Sequence, residues 1–454
     1  MKKYLAIDIG ASSGRHIVGY MENGVLKTEE VYRFPNGAKE ANGHLCWDTE
    51  HLFGEVKKGI AAAIARFGAI DSLSVDTWAV DYVLMDNDRE ILPCYAYRDG
   101  RTQESIPAVH AAVPFEELYE RTGIQFQPFN TVYQLYADKL AGRLDGATDY
   151  LMLPEYLLYR LTGVRSHEYT NATSTGLVNA LSHEFDKEIV GRLGLPESIF
   201  NSLCQPGAVL GGLKEEIARE VGGNITAVLC ATHDTASAVL AAPVGAGFDE
   251  PYLSSGTWSL LGIEQPLAHT DEESRANNFS NEGGLGFTFR YQKNIMGLWM
   301  LQSARKEMGL GFAEAEKLAR ENACDAVVDC NDAAFLAPQS MCAAVREKAG
   351  LLTDGQLLHC IYNSLAHCYK RALDEMGKKL GRKFVCLHII GGGSKDAYLN
   401  ELTAKVAGVK VTAGPVEATA LGNLLVQMIA GGEFKDIGEG REVIGRSFPT
   451  KEFI

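Results

Sequence analysis

The sequence has no CxxC pair; its ten cysteines are scattered from Cys46 to Cys386. In a chain of 454 residues that pattern excludes a disulfide framework and does not read as a zinc site. It reads as buried thiols in a reducing cytoplasm. There is no run of about 18 apolar residues, so no membrane-spanning helix is expected. The opening, Met1 to Asp8, reaches an acidic residue and then glycine too early for a signal peptide. Cations are also in deficit: 43 Lys and Arg stand against 58 Asp and Glu, a formal charge of −15. A nucleic-acid partner, which needs a basic face, is not expected. Neither GxxxxGK[ST] nor a GxGxxG between strand and helix occurs, which removes Walker-type NTPases and dinucleotide folds.

What is present is ordinary globular composition at a length that calls for two domains. Tyr4–Ile9, Arg15–Met21 and Val25–Phe34 read as strands, the last two joined by Asn23-Gly24, a strong hairpin signal. Asp48 is placed to cap a helix carrying Leu52, Phe53, Val56, Ile60, Ile64 and Phe67 on one stripe, with Gly68 as its stop. Residues 70–75 follow as a buried strand. The pattern is α/β. A second strand–turn–strand, Pro251–Ser254, Ser254-Ser255-Gly256-Thr257 and Trp258–Ile263, parallels Ile7–Ile9, Ala11-Ser12-Ser13-Gly14 and Arg15–Val18. This reads as a duplication: domains 1–244 and 245–454, with Pro243, Gly245 and Gly247 supplying a linker around Ala242–Asp249.

Several segments can carry chemistry. In Asp8–Arg15, small residues let backbone N–H groups approach an anion, Ser12, Ser13 and Arg15 add donors, and Asp8 is placed for a metal ion; a plain β-turn is the other reading. In Thr232-His233-Asp234-Thr235, Asp234 reads either as a helix cap or as a general base for phosphoryl transfer. His233 reads as a structural histidine or a sugar-hydroxyl ligand. Ser74–Asp81 leaves a buried strand into a polar, aromatic turn, a common sugar wall. Lys293–Gln302 reads as the start of an apolar helix, with Asn294 at its cap and Gln302 on its outer face. Leu387–Ser394 is a strand running into three glycines, open to a flat ligand or simply a tight turn.

Taken together and in order, these segments resemble the FGGY carbohydrate kinases, which share the ATPase core of actin, hexokinase and the heat-shock 70 proteins. The resemblance spans Tyr4 to about Gly432 and includes GASSGR (10–15), DTWAVD (76–81), GIQFQPFN (123–130), YTNAT (169–173), HDTASAV (233–239), YLSSGTWS (252–259), NEGG (281–284), KNIMGLW (293–299) and GPVEATALGN (414–423). It implies two duplicated actin/hexokinase-like (ribonuclease H-like) domains around a central cleft, with ATP, Mg²⁺ and a small-molecule ketose as ligands. Asp234 then matches the catalytic base and Asp8 the residue that positions Mg²⁺. Ala11, Ser12, Ser13, Gly14, Arg15, Thr257, Gln302 and Gly392 match nucleotide contacts. Ala79, His233, Asp234, Thr235 and Asn294 match sugar contacts. Where the family commonly has Gly, residue 79 is Ala; its main-chain contact survives only if φ is negative.

Overall fold

The computed structural model describes residues 1–245, 247–336 and 338–454. The chain forms two compact units. Met1–Ala241, Gln265–Tyr291 and Thr419–Ser447 make up the first, and Ala242–Glu264, Gln292–Ala418 and Phe448–Ile454 the second. The chain first passes between them at Ala241–Ala242; within the expected linker, Ala246 lies outside the described residues.

The first unit is built on a six-stranded sheet in the order Val209–Gly212, Thr226–Val228, Ser72–Thr77, Lys3–Ile9, Ser13–Glu22, Val25–Pro35. Lys3–Ile9 is apolar almost throughout because both its faces are covered, as the central strand of such a sheet must be. Leu5, Ile7 and Ile9 pack with Val56 and Ile60 of the helix Thr49–Phe67 in one core. Burying each such side chain contributes about 1.5–3 kcal/mol. That helix begins as its sequence dictates: the Asp48 carboxylate accepts from the His51 N–H at 3.0 Å, and Gly68 ends it at φ 74°. The next strand starts at Ser72 and runs on to Thr77, because parallel pairing with Lys3–Ile9 continues to Ile9↔Thr77.

The second sheet contains, in order, Lys451–Phe453, Lys410–Ala413, Cys386–Ile390, Tyr252–Ser255, Trp258–Gln265 and Phe289–Met296. Its pairing senses repeat those of the first sheet from the edge as far as Trp258–Gln265: antiparallel, parallel, parallel, antiparallel. The strand–turn–strand likeness seen in the sequence therefore extends to five strands of each sheet. Among the described residues no helix is long and apolar enough to cross a membrane.

Candidate active site

Two parallel strands in the first unit end on carboxylates. Asp8 and Asp76 are register partners, and Asp8 faces Arg15 across the antiparallel pair. Arg15 donates to Asp8 Oδ2 from Nε at 2.9 Å and Nη2 at 2.7 Å, a geometry that fixes the carboxylate. Asp76 is fully buried. Its Oδ2 accepts from Asn423 Nδ2 at 2.6 Å, while its Oδ1 has no partner among the described residues. Burial first, and then the charges of Asp8 and Asp234, push the Asp76 carboxyl well above its ordinary range. Carboxylates packed this way form a donor set for a hard cation.

The third carboxylate is set by the segment before it. The Thr77 N–H donates to Thr232 O at 3.0 Å. The N–H and hydroxyl of Thr232 both donate to Glu168 Oε2 at 2.9 Å. Glu168 is itself the N-cap of the helix Tyr169–Thr173, so the YTNAT segment holds the THD segment in place. Asp234 is the first residue of the helix Asp234–Leu240. The N-cap is His233, and this corrects the reading of Asp234 as the helix cap. The Asp234 carboxylate is thus released from capping. It accepts from Thr235 N at 2.6 Å and Thr235 Oγ1 at 3.2 Å, with 31% of its side chain exposed. Burial raises its pKa; His233 opposes that shift and Asp8 adds to it.

His233 is oriented by a buried ion pair. Arg290, 1% exposed, donates from Nη2 to His233 Nδ1 at 3.2 Å and lies 3.1 Å from Glu282 Oε2. Glu282 is also 3.3 Å from the same ring nitrogen. The other ring nitrogen, Nε2, faces Asp234 Oδ1 at 3.5 Å.

Ala79 is not among the residues with positive φ, so the backbone condition for its main-chain contact holds; the strained residue is its neighbour Val80, at φ 69°. Val80 O accepts from Thr131 Oγ1 at 2.8 Å and Gln134 Nε2 at 3.1 Å, which pin that turn. Trp78 is 7% exposed, packed on Trp47 at 4.1 Å and donating to Asp81 Oδ2 at 2.8 Å. The aromatic part of the expected sugar wall is therefore largely committed to the core. The Gly10 turn is closed by Gly10 N to Ser13 O at 2.9 Å and tied to Asn36. Ser12 is exposed and Ala11 and Ser13 are half-buried, whereas Gly14 is buried in the strand Ser13–Glu22, where a Cβ would collide with the Phe34 ring.

In the second unit Thr257 is exposed in the turn between Tyr252–Ser255 and Trp258–Gln265. Gly392 opens the short turn after Cys386–Ile390. Its neighbour Gly393 packs so closely that a Cβ would collide with Ser255 Oγ. Gln302, on the helix Trp299–Glu307, lines a cavity of about 720 Å³ with Trp299, Arg305, Lys306 and Phe312. Asn294 caps no helix. It lies within the strand Phe289–Met296, its Oδ1 buried without a partner among the described residues.

The first unit thus brings together Asp8, Arg15, Asp76, His233, Asp234 and Thr235. Asp76, Glu168, Glu282, Arg290 and Asn423 are positioning or acidic residues given no role by sequence reasoning. Asp76, Glu282 and Asn423 lie inside the quoted segments DTWAVD, NEGG and GPVEATALGN, which was the available signal.

The model of the N-terminal domain of the FGGY family of carbohydrate kinases matches residues 3–241, and that of its C-terminal domain residues 252–431. The chain is 40% identical over 455 residues to a rhamnulokinase of Oceanobacillus iheyensis, covering 98% of this chain and 96% of that protein. It is 42% identical over 465 residues to a rhamnulokinase of Enterococcus faecalis, covering 99% and 94%. Among solved structures, gluconate kinase from Lactobacillus acidophilus superposes with a TM-score of 0.84 at 16% identity, covering 100% of this chain and 93% of that one.

Proposed function

The chain belongs to the FGGY family of carbohydrate kinases, and we propose that it transfers the γ-phosphoryl group of ATP to the 1-hydroxyl of L-rhamnulose, giving L-rhamnulose 1-phosphate and ADP. The observation that carries the reaction is Asp234: an ionisable carboxylate at a helix start, partly exposed, used on its own helix only through Thr235. As the sugar oxygen forms its bond to the γ-phosphorus and the bond to the β-bridging oxygen breaks, Asp234 takes the hydroxyl proton. His233 meets a sugar hydroxyl through Nε2, with Arg290 and Glu282 holding the ring at Nδ1. Thr235, Asn294 and the backbone of Ala79 complete the sugar contacts. Support for the sugar itself comes from the rhamnulokinases that match nearly the whole chain at 40–42% identity.

Asp8 and Asp76 are the residues that would hold Mg²⁺, because a buried pair of acids with one unpartnered oxygen calls for a cation. Bound there, the ion supplies charge neutralisation for the triphosphate. Ser12, Ser13, Arg15 and the backbone from Ala11 to Gly14 are assigned to phosphate, and Thr257, Gln302 and Gly392 to the nucleotide. The free thiols suit a reducing cytoplasm, where ATP is available.

The test is ADP release coupled to NADH oxidation over a panel of ketoses at saturating Mg·ATP. L-rhamnulose should give the highest kcat/KM. L-fuculose, its C4 epimer, should be rejected more strongly than a ketose lacking only the terminal methyl, which is worth about 1–3 kcal/mol. A larger value for fuculose or xylulose would overturn the substrate while leaving the kinase reading in place.

A further inference from the structure

Away from these residues, three side chains of unlike chemistry meet in the second unit: Glu250, Cys386 and His388. The sheet brings them together. Cys386 and His388 are two apart on the strand Cys386–Ile390, so both side chains leave the same face. Tyr252 pairs in parallel with His388, and Pro251 O accepts from His388 N at 3.0 Å. Continuing that register back by two residues sets Glu250 beside Cys386. The thiol sulfur, a ring nitrogen and a carboxylate oxygen all lie within 4.8 Å of one another.

The histidine is oriented for the purpose. Its Nδ1 is 2.6 Å from Thr412 Oγ1, on the neighbouring strand Lys410–Ala413. A hydroxyl can accept from Nδ1–H, and that bond turns the Nε2 lone pair toward Glu250, whose Oε2 is 3.5 Å away. His388 is buried, whereas Cys386 and Glu250 are half-buried, so an ion has a way in.

We propose that Glu250, Cys386 and His388 form a binding site for a transition-metal dication, with zinc the ion best matched. One sulfur, one imidazole nitrogen and one carboxylate are a borderline-soft donor set; Mg²⁺ and Ca²⁺ take oxygen. Zinc bonds of about 2.0–2.3 Å separate tetrahedral ligand atoms by roughly 3.3–3.8 Å, so small side-chain rotations close the site. The metal displaces the thiol proton, and three protein ligands leave a fourth position for water. The bound ion ties the segment leading into Tyr252–Ser255 to the adjacent strand and stabilises the second unit. The ligands come from segments far apart in the chain, so cysteine spacing alone cannot display the site.

The test uses the full chain, stripped of metal with EDTA and titrated with Co²⁺. One equivalent should produce a thiolate-to-cobalt charge-transfer band, and stoichiometric Zn²⁺ should abolish it and raise the melting temperature. Cys386→Ser should lose the band while keeping kinase activity with Mg²⁺, which also reports its folding. His388→Ala and Glu250→Gln should each weaken Co²⁺ binding at least tenfold, and Thr412→Val by about 10–100-fold. No band in the unaltered protein, a band that survives Cys386→Ser, or unchanged affinity in His388→Ala would overturn the site.

Discussion

The two sheets share strand order over their central four strands and pairing sense over five, yet the C-terminal ends of their central strands carry different chemistry. In the first unit the strand pair Lys3–Ile9 and Ser72–Thr77 ends on Asp8 and Asp76, with Asp234 contributing a third charge. In the second, Ser254 pairs with Ile390, and the turns that follow are Gly256-Thr257 and Gly391–Gly393. One copy of the scaffold gathers anions and the other has hydroxyls and bare backbone in their place. On the proposed function, the acidic copy would serve the proton, the cation and the first phosphate turn, and the neutral copy would supply the remaining nucleotide contacts.

The sharpest way to break the comparison is Asp234→Asn, which removes the proposed base and leaves the fold. It should lower kcat by about 10²–10⁴ with an unchanged melting curve; near-normal kcat would reduce Asp234 to a helix-start residue. Next in size, Arg290→Met removes the guanidinium from the buried pair with Glu282 and should cost about 3–5 kcal/mol of stability. Arg290→Lys should recover most of that loss while KM for the sugar is raised, since one ammonium cannot contact both the His233 ring and Glu282 as a guanidinium does. Urea unfolding alongside steady-state kinetics separates the two effects.

Asp76→Asn should dissociate function from stability. Burial and Asp8 raise the Asp76 pKa in the folded state, so its ionised form is a destabilising burden at neutral pH, relieved as pH falls through the raised value. The amide keeps an acceptor for Asn423 without the charge. Activity and Mg²⁺ response should fall while the melting temperature in EDTA holds or rises; a lower melting temperature would contradict the charge-repulsion reading. Because Asp234 must be ionised to accept a proton and its pKa is raised, kcat should fall as pH drops while ordinary exposed carboxylates are still charged. An acid limb confined to their usual range would count against burial of the base. The smallest effect belongs to the neutral copy. Gln302→Ala should raise KM for ATP by about 2–12-fold, the worth of one hydrogen bond, with KM for the sugar unmoved.

Legibility followed sequence distance. The Asn23-Gly24 hairpin, the Asp48 cap and the THD turn are written in consecutive residues, and the structure keeps them. Partners from remote segments were not readable: Asn423 reaches Asp76, and Glu282 with Arg290 reaches His233, only after the chain has folded. The misplacement of Asn294 has a local cause. The apolar run Ile295–Leu301 is continuous in composition, but Gly297 interrupts it, since a Cβ there would meet the backbone of Thr257–Ser259 at 2.6–2.8 Å. That contact ends the strand at Met296 and lets a separate helix begin at Trp299.

The helix Ala418–Ala430 bears on how the protein is made. Gly422 lets it press against the Ser237 backbone, Asn423 supplies the Asp76 contact, and Gln427 bonds to Leu5 O at 3.0 Å and Ser72 Oγ at 2.6 Å. Its partners Leu5 and Ser72 lie 422 and 355 residues earlier in the chain. A ribosome must therefore carry synthesis through Gln427 before those strands can finish folding, and until then the nascent chain holds the Asp76 carboxyl without its amide partner.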